Sequence, residues 1–390
     1  MQQLVLLTAD ESALRIEKAR SAMRETGAQA MLIGDNANIY YFTGRVVAGY
    51  VYIPAEGMPL YFVRRPVGLT GDGTIYIRKP EQMAESIGLN SPSSLALELD
   101  NLSYSAIERL RGVFPAAGVV NASAIMRSVR SVKTPAEVDM IRRSGVSQMR
   151  VYARVPRLYH EGMTDLELQV EIERASRLEG CLGQFRISGN SMELYMGSIL
   201  VGRNADTPTP YDFAMGGESL DPSLPVGCNG TIIREGESVM VDVNGNYTGY
   251  MTDMTRTYSP GGLSDEAVRA HRCSIDICHA LAKAGVPGTP AKQLYEIAEE
   301  MARENDLADY FMGHRQKAGF VGHGVGIEVN EAPVLAPRSR DILTAGQVIA
   351  IEPKFVIPSA GAVGIENTYV VTANGLDCLT PAPEEIISLV

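Results

Sequence analysis

Val239-Met-Val-Asp242-Val-Asn-Gly-Asn-Tyr-Thr-Gly-Tyr-Met-Thr-Asp253-Met-Thr-Arg-Thr257 places two strand-like runs around Asn244-Gly245 and Gly249, and reads as a β-hairpin. With the turn centred near Tyr247 and Thr248, Asp242 falls opposite Asp253 and both carboxylates point to one face. Facing acids repel, which a folded interior tolerates only with a compensating cation or a raised pKa. A metal is the simpler compensation.

Downstream, Gly322-His323-Gly324-Val325-Gly326 sets glycines on both sides of a single histidine, so that backbone can pack close beside the ring. An imidazole with so little side-chain cover suggests a ligand. Val348-Ile-Ala-Ile-Glu352-Pro and Val363-Gly-Ile-Glu366-Asn-Thr-Tyr-Val-Val371 each carry one acid among apolar, strand-forming residues, where an unpaired charge is costly. Asp242, Asp253, His323, Glu352 and Glu366 together make a hard, oxygen-rich donor set suited to Mn, Fe, Co or Zn, and unlike a cysteine-rich structural zinc site. Any one of these acids alone would read as a surface carboxylate; five donors in such contexts read as a site.

On these residues the chain resembles the pita-bread metallopeptidases: prolidase (Xaa-Pro dipeptidase), aminopeptidase P and methionine aminopeptidase. The family pattern is an Asp, a second Asp eleven residues on within Gly-Tyr-x-x-Asp-x-Thr-Arg-Thr, a Gly-His-Gly-x-Gly histidine, a Glu-Pro glutamate and a Glu before a final strand, and this chain matches each in order. Asn36-Ala-Asn-Ile-Tyr-Tyr-Phe-Thr-Gly44 is similar to the N-terminal domain of prolidases and creatinases, and Arg130-Ser-Val-Lys-Thr-Pro-Ala-Glu137 to their entry into the catalytic domain. The resemblance implies an α/β (α+β) chain: a creatinase-like domain over residues 1–128 and a pita-bread catalytic domain over 129–390. It implies two divalent ions, with Asp242 terminal on one, His323 and Glu352 on the other, and Asp253 and Glu366 bridging. Glu352 is the implied general base, and His323 is counted with it as catalytic. Two ions roughly 3.5 Å apart would lower the pKa of a water between them. The expected activity is hydrolysis of an amide beside a free N-terminus, as an Xaa-Pro dipeptidase or aminopeptidase P does, in a homodimer.

Three positions depart from that pattern. Seven residues after His323, where family peptidases carry a substrate-binding histidine, stands Asn330, which can donate a hydrogen bond to an oxyanion but cannot carry charge. It reads equally as a turn residue. A second family histidine, about seventeen residues before Asp242, is replaced within Ser223-Leu-Pro-Val-Gly-Cys-Asn229, and an arginine before the last Glu by Gly364-Ile365. His314 is a candidate substitute for substrate binding, against its reading as a capping or surface residue. These losses support an alternative, a pita-bread hydrolase or lyase acting on a small non-peptide molecule. A third possibility, a non-catalytic binding module, is disfavoured by the complete ligand set.

Composition agrees with an enzyme of small substrates. The 390 residues suit two domains, and a net charge of −11 without any long Lys/Arg cluster argues against nucleic acid or an anionic membrane as partner. The start, Met1-Gln-Gln-Leu-Val-Leu-Leu, does not read as a signal peptide, and no stretch approaches a membrane span, so a cytoplasmic location is expected. Five irregularly spaced cysteines fit free thiols; Cys273 and Cys278, beside His279, read as core thiols of one helix. Thr8 with Glu11 opens a helix to about Thr26, followed by a strand Ala30–Ile33 and a hairpin over residues 46–63. Helices are expected from Pro135 through Arg157, from Thr164 to Leu178, from a Ser264 cap, and from Thr289 to near Asn305. Residues 197–230, rich in Gly, Pro, Asp and Ser, read as loops near the mouth of the site.

Overall fold

The computed structural model describes residues 2–88, 91–189, 192 and 195–389. The chain divides into two compact units, Met1–Arg130 and Ser131–Val390.

In the first unit, Thr8 caps the helix Ala9–Thr26 by accepting the Glu11 N–H at 3.3 Å, and Gly27 closes it in the left-handed conformation, φ 70°. The apolar run Ala30–Ile33 is wholly buried, as a strand flanked on both sides must be. It pairs antiparallel with Ala48–Pro54 and parallel with Ser94–Leu97 at the centre of a six-stranded sheet. Asn36–Thr43 forms a short helix, held by the Asp35 side chain at its start and by Gly44, φ 68°, at its end.

The second unit builds its core twice. Helices Pro135–Tyr152 and Asp165–Leu178 pack with the sheet in which Gly197–Val201, Val239–Val243 and Thr255–Ser259 are neighbours. Helices Asp265–Ala284 and Ala291–Glu304 pack on the sheet ordered Glu331–Val334, Gly322–Gly324, Val348–Ile351, Asn367–Thr372, Gly375–Cys378. This is the duplicated arrangement of helix pairs that the resemblance implies. A bridge between Thr255 and Glu366 joins the two sheets, the Glu366 N–H donating to the Thr255 carbonyl at 3.1 Å. The strands that carry the candidate donors therefore meet where the two halves meet.

Four expectations are corrected. The hairpin is offset by two residues: Asp242 pairs with Thr255 and Gly245 with Thr252, so Asp253 falls across from Asn244 rather than Asp242. Because side chains alternate with a period of two, this even offset keeps both carboxylates on one face. The helix from Pro135 stops at Tyr152, with a separate turn Val155–Leu158, because Pro156 supplies no N–H and its ring obstructs a continuing helix. The fourth helix begins after Pro290, while the Thr289 hydroxyl donates back to the Ala284 carbonyl at 3.0 Å. Residues 197–230 are not loop throughout: Gly197–Val201 is a fully buried strand and Gly202–Asp206 a 3₁₀ turn. Its pairing with Val239–Val243, not its own composition, makes it a strand.

Candidate metal centre and its cavity

Asp242 lies near the end of Val239–Val243, and Asp253 sits in the kink between Met251–Thr252 and Thr255–Ser259. The Asn244 carboxamide donates to Asp253 Oδ1 at 2.6 Å, while the Asp253 N–H donates to Thr368 Oγ1 at 2.8 Å. These bonds leave Asp253 Oδ2 turned toward His323, whose Nε2 is 3.7 Å away. His323 Nδ1 lies 3.1 Å from the Gly324 carbonyl. In the neutral ring, an Nδ1–H donated there would leave Nε2 as the acceptor nitrogen, the tautomer a metal requires once it displaces the Nε2 proton. Glu352 follows directly on Val348–Ile351 and brings Oε1 to 3.3 Å from the same Nε2. Glu366 Oε2 accepts the Thr255 hydroxyl at 2.8 Å.

Donor atoms of Asp253, His323 and Glu366 all lie within 4.8 Å of one another. Glu366 Oε1 is buried and has no hydrogen-bond partner among the described residues. A buried oxygen left unsatisfied is costly, and a cation beside His323 would satisfy it. One divalent ion thus fits the Asp253, His323 and Glu366 donors, with Glu352 adjacent.

The other side of the cluster holds a residue that did not enter the sequence reading. Lys354, with its side chain fully buried, places Nζ 2.8 Å from Asp242 Oδ2, 2.8 Å from Glu352 Oε2 and 3.1 Å from Glu366 Oε2. Its signal was in the sequence: a lysine two residues after Glu352, inside the apolar strand Lys354–Ile357, points where Glu352 points.

The electrostatics follow from burial and these contacts. Burial and the neighbouring Asp242 push the Asp253 carboxyl up to about 7. Burial and Asp253 raise that of Glu366 well above the usual range. Burial would raise Glu352 as well, but Lys354 and His323 outweigh it and hold that carboxyl down at about 2. Burial pulls the His323 imidazolium down, yet Glu352, Asp253 and Glu366 more than offset this and carry it to about 10. Four carboxylates face the cations Lys354 and His323, and protons held by Asp253 and Glu366 make up the balance.

The pattern of metallopeptidase family M24 matches residues 139–373, and that of the creatinase/prolidase N-terminal domain matches residues 15–132. The chain belongs to metallopeptidase family M24. This M24 chain is 26% identical over 381 residues to the Xaa-Pro dipeptidase of Pyrococcus furiosus, spanning 96% of this chain and 99% of that one. It is 27% identical over 389 residues to the uncharacterized peptidase YqhT of Bacillus subtilis, spanning 96% and 100%. Among solved structures, the Xaa-Pro dipeptidase from Bacillus anthracis superposes with a TM-score of 0.80 at 21% identity, spanning 96% of this chain and 99% of that one. The prolidase from Pyrococcus horikoshii OT3 superposes at 0.76 and 23%, spanning 96% and 100%. At those identities the two superpositions establish the fold.

In this M24 protein the cluster forms the floor of a cavity of about 230 Å³, walled by apolar side chains that include Ile187, Met192, Phe213, Met215, Phe320 and Val329. The segment 197–230 contributes Gly197, Ser198 and Asp212 to Met215. Asn330 also lines the cavity, but its Oδ1 accepts the Ser188 N–H at 2.7 Å and its Nδ2 donates to the Ser188 carbonyl at 2.8 Å. Its carboxamide clasps a neighbouring segment, leaving one N–H for a ligand. His314 is not brought to the cavity. Its half-exposed ring pairs with Asp206 Oδ2 at 3.0 Å, because its position beside Tyr310 turns it toward the 3₁₀ turn. Cys273 and Cys278 are buried free thiols, and His279 pairs with Glu384 at 2.8 Å. Among the described residues, no helix is long and apolar enough to cross a membrane.

Proposed function

We propose that this enzyme is a metal-dependent hydrolase that cleaves the amide bond after the N-terminal residue of Xaa-Pro dipeptides or short Xaa-Pro peptides. The observation that carries the reading is the Asp253, His323 and Glu366 donor cluster at the floor of an apolar cavity. The relatives named Xaa-Pro dipeptidase, aligned over nearly the whole chain, support the substrate class.

A divalent ion on those donors would supply Lewis-acid polarisation of the scissile carbonyl and an acidified water. Glu352 holds Oε1 toward the cavity, with Oε2 engaged by Lys354, and is the side chain placed to take the water's proton. His323 keeps its Nε2 directed inward through the Nδ1 contact with Gly324. The apolar Ile187, Phe213 and Phe320 walls lower the local dielectric and strengthen charge interactions beside them. Manganese or cobalt suits this oxygen-rich set, and a cytoplasmic homodimer is the accompanying proposal.

The Asn330 clasp on Ser188 favours a second reading, hydrolysis or lysis of a small non-peptide substrate, because the family's histidine is replaced by a residue already engaged. Incubation of the purified protein with Xaa-Pro dipeptides and a longer Xaa-Pro peptide, in the presence of Mn, Co or Zn, separates the two. Metal-dependent cleavage lost in Asp253→Ala supports the peptidase, and the length preference gives its subtype. Bound metal without cleavage of any peptide transfers the assignment to the non-peptide substrate.

A further inference from the structure

We propose that the Lys354 ammonium permanently occupies the Asp242 side of the metal centre, so that the pocket binds one divalent ion at Asp253, His323 and Glu366 and excludes a second. The inference rests on the cluster being a metal site and is independent of the substrate.

Three observations carry it. An ammonium has three N–H donors, and Lys354 Nζ has three carboxylate acceptors, Asp242, Glu352 and Glu366, at 2.8, 2.8 and 3.1 Å. A tripod of oxygens around one point is a cation position, and the ammonium stands at its centre. An ion bound by the same oxygens at about 2.1–2.4 Å would fall within bonding distance of the nitrogen, so the two cannot coexist.

The lysine also has no retreat. Its strand Lys354–Ile357 pairs residue by residue with Gly361–Gly364, and its carbonyl accepts the Met312 N–H at 2.8 Å, which fixes the backbone. Gly364 lies so close that a Cβ there would meet the Lys354 Cα at 3.1 Å. Phe355, Val363, Ile365 and Ile351, which alternate with Lys354, Gly364, Glu366 and Glu352 along these strands, are fully buried in one core cluster. The Lys354 side chain is fully buried, so an ammonium withdrawn from the carboxylates would be left in the interior without a partner.

The other half of the cluster is open to an ion. Lys354 engages Glu366 through Oε2 and leaves Oε1 without a hydrogen-bond partner among the described residues, on the same carboxylate that groups with Asp253 and His323. The asymmetry makes Asp242, nominally a metal ligand, the counter-ion of a lysine.

The test is a metal count on the full chain, stripped with a chelator, saturated with Mn²⁺, desalted, and measured by elemental analysis and native mass spectrometry. One equivalent per chain is expected, with the Mn²⁺ resonance of an isolated ion. Two equivalents, or the spectrum of an exchange-coupled pair, overturn the proposal while leaving the metal-hydrolase reading intact. No bound metal overturns both. Lys354→Met is expected to gain one equivalent and show the coupled spectrum. A folded Lys354→Met that still binds one ion also overturns the proposal, and the wild-type count decides the matter alone should that variant fail to fold.

Discussion

Glu98 shows how far burial alone moves a side chain. Its carboxylate accepts the Gly34 and Asp35 N–H groups at 2.6 and 2.8 Å and the Asn38 carboxamide at 2.6 Å, all of which favour the ionised form. Desolvation outweighs them and pushes the carboxyl up from 4.5 to about 7. A carboxyl raised on folding binds its proton more tightly in the native state. The protection it gives is therefore whole below pH 4.5 and is lost as pH rises through about 7. Glu98→Gln stays neutral throughout, so its stability relative to wild type should rise by on the order of 3 kcal/mol across that window. Urea unfolding of both proteins at a series of pH values measures this; a difference independent of pH would show that the three donors, not burial, set the charge. Lys354 is the opposite case, a buried cation whose three acceptors overcome desolvation and carry its pKa well above the ordinary value.

At the scale of elements, the glycine motif around His323 is a packing requirement. The strand Gly322–Gly324 is clamped between Glu331–Val334 and Val348–Ile351. A Cβ on Gly324 would lie 2.2 Å from the Ala332 carbonyl oxygen, and one on Gly322 would lie 2.3 Å from that of Ala350. Gly324→Ala must push a neighbouring backbone aside, at a cost of about 1–3 kcal/mol or more, and displaces the adjacent His323. Thermal unfolding should show that loss, and metal affinity should fall with it; an unchanged affinity would mean the ring is held by other contacts. Gly112 lies in the helix Tyr104–Val113 with nothing within 4 Å of its virtual Cβ. Gly112→Ala should therefore stabilise by about 0.5–1 kcal/mol through helix propensity, and a destabilised variant in the same assay would contradict that account.

For the molecule as a whole, all the candidate metal donors lie in the unit Ser131–Val390. A ligand that binds only the native state adds RT ln(1 + [L]/Kd), about 2.7 kcal/mol at a hundredfold excess over Kd. Mn²⁺ at that excess should slow amide exchange in Gly322–Gly324, Val348–Ile351 and Thr255–Ser259, measured by mass spectrometry with and without chelator. Exchange in Ala30–Ile33, in the other unit, should stay as it was. Equal protection of both units would show that they open as one cooperative body.

The order and type of the five donors, the helix starts at Thr8, Pro135, Thr164 and Ser264, and the apolar strand Ala30–Ile33 were all legible locally, because each depends on neighbours a few residues away. Tertiary structure alone decided the rest. The hairpin pairs keep one constant sum, but the turn is centred between Thr248 and Gly249, one residue later than local turn chemistry indicates, and that shifts every partner by two. Gly197–Val201 became a strand because Val239–Val243 offered it an edge. His314 turned to Asp206, and Asn330 to Ser188, through partners 108 and 142 residues distant in the chain. Lys354 stood two residues from Glu352, yet the meaning of its charge came from Asp242, which lies 112 residues away. A residue's type and its local period come from the chain, but the identity of a buried charge's partner is settled only when distant strands close on it.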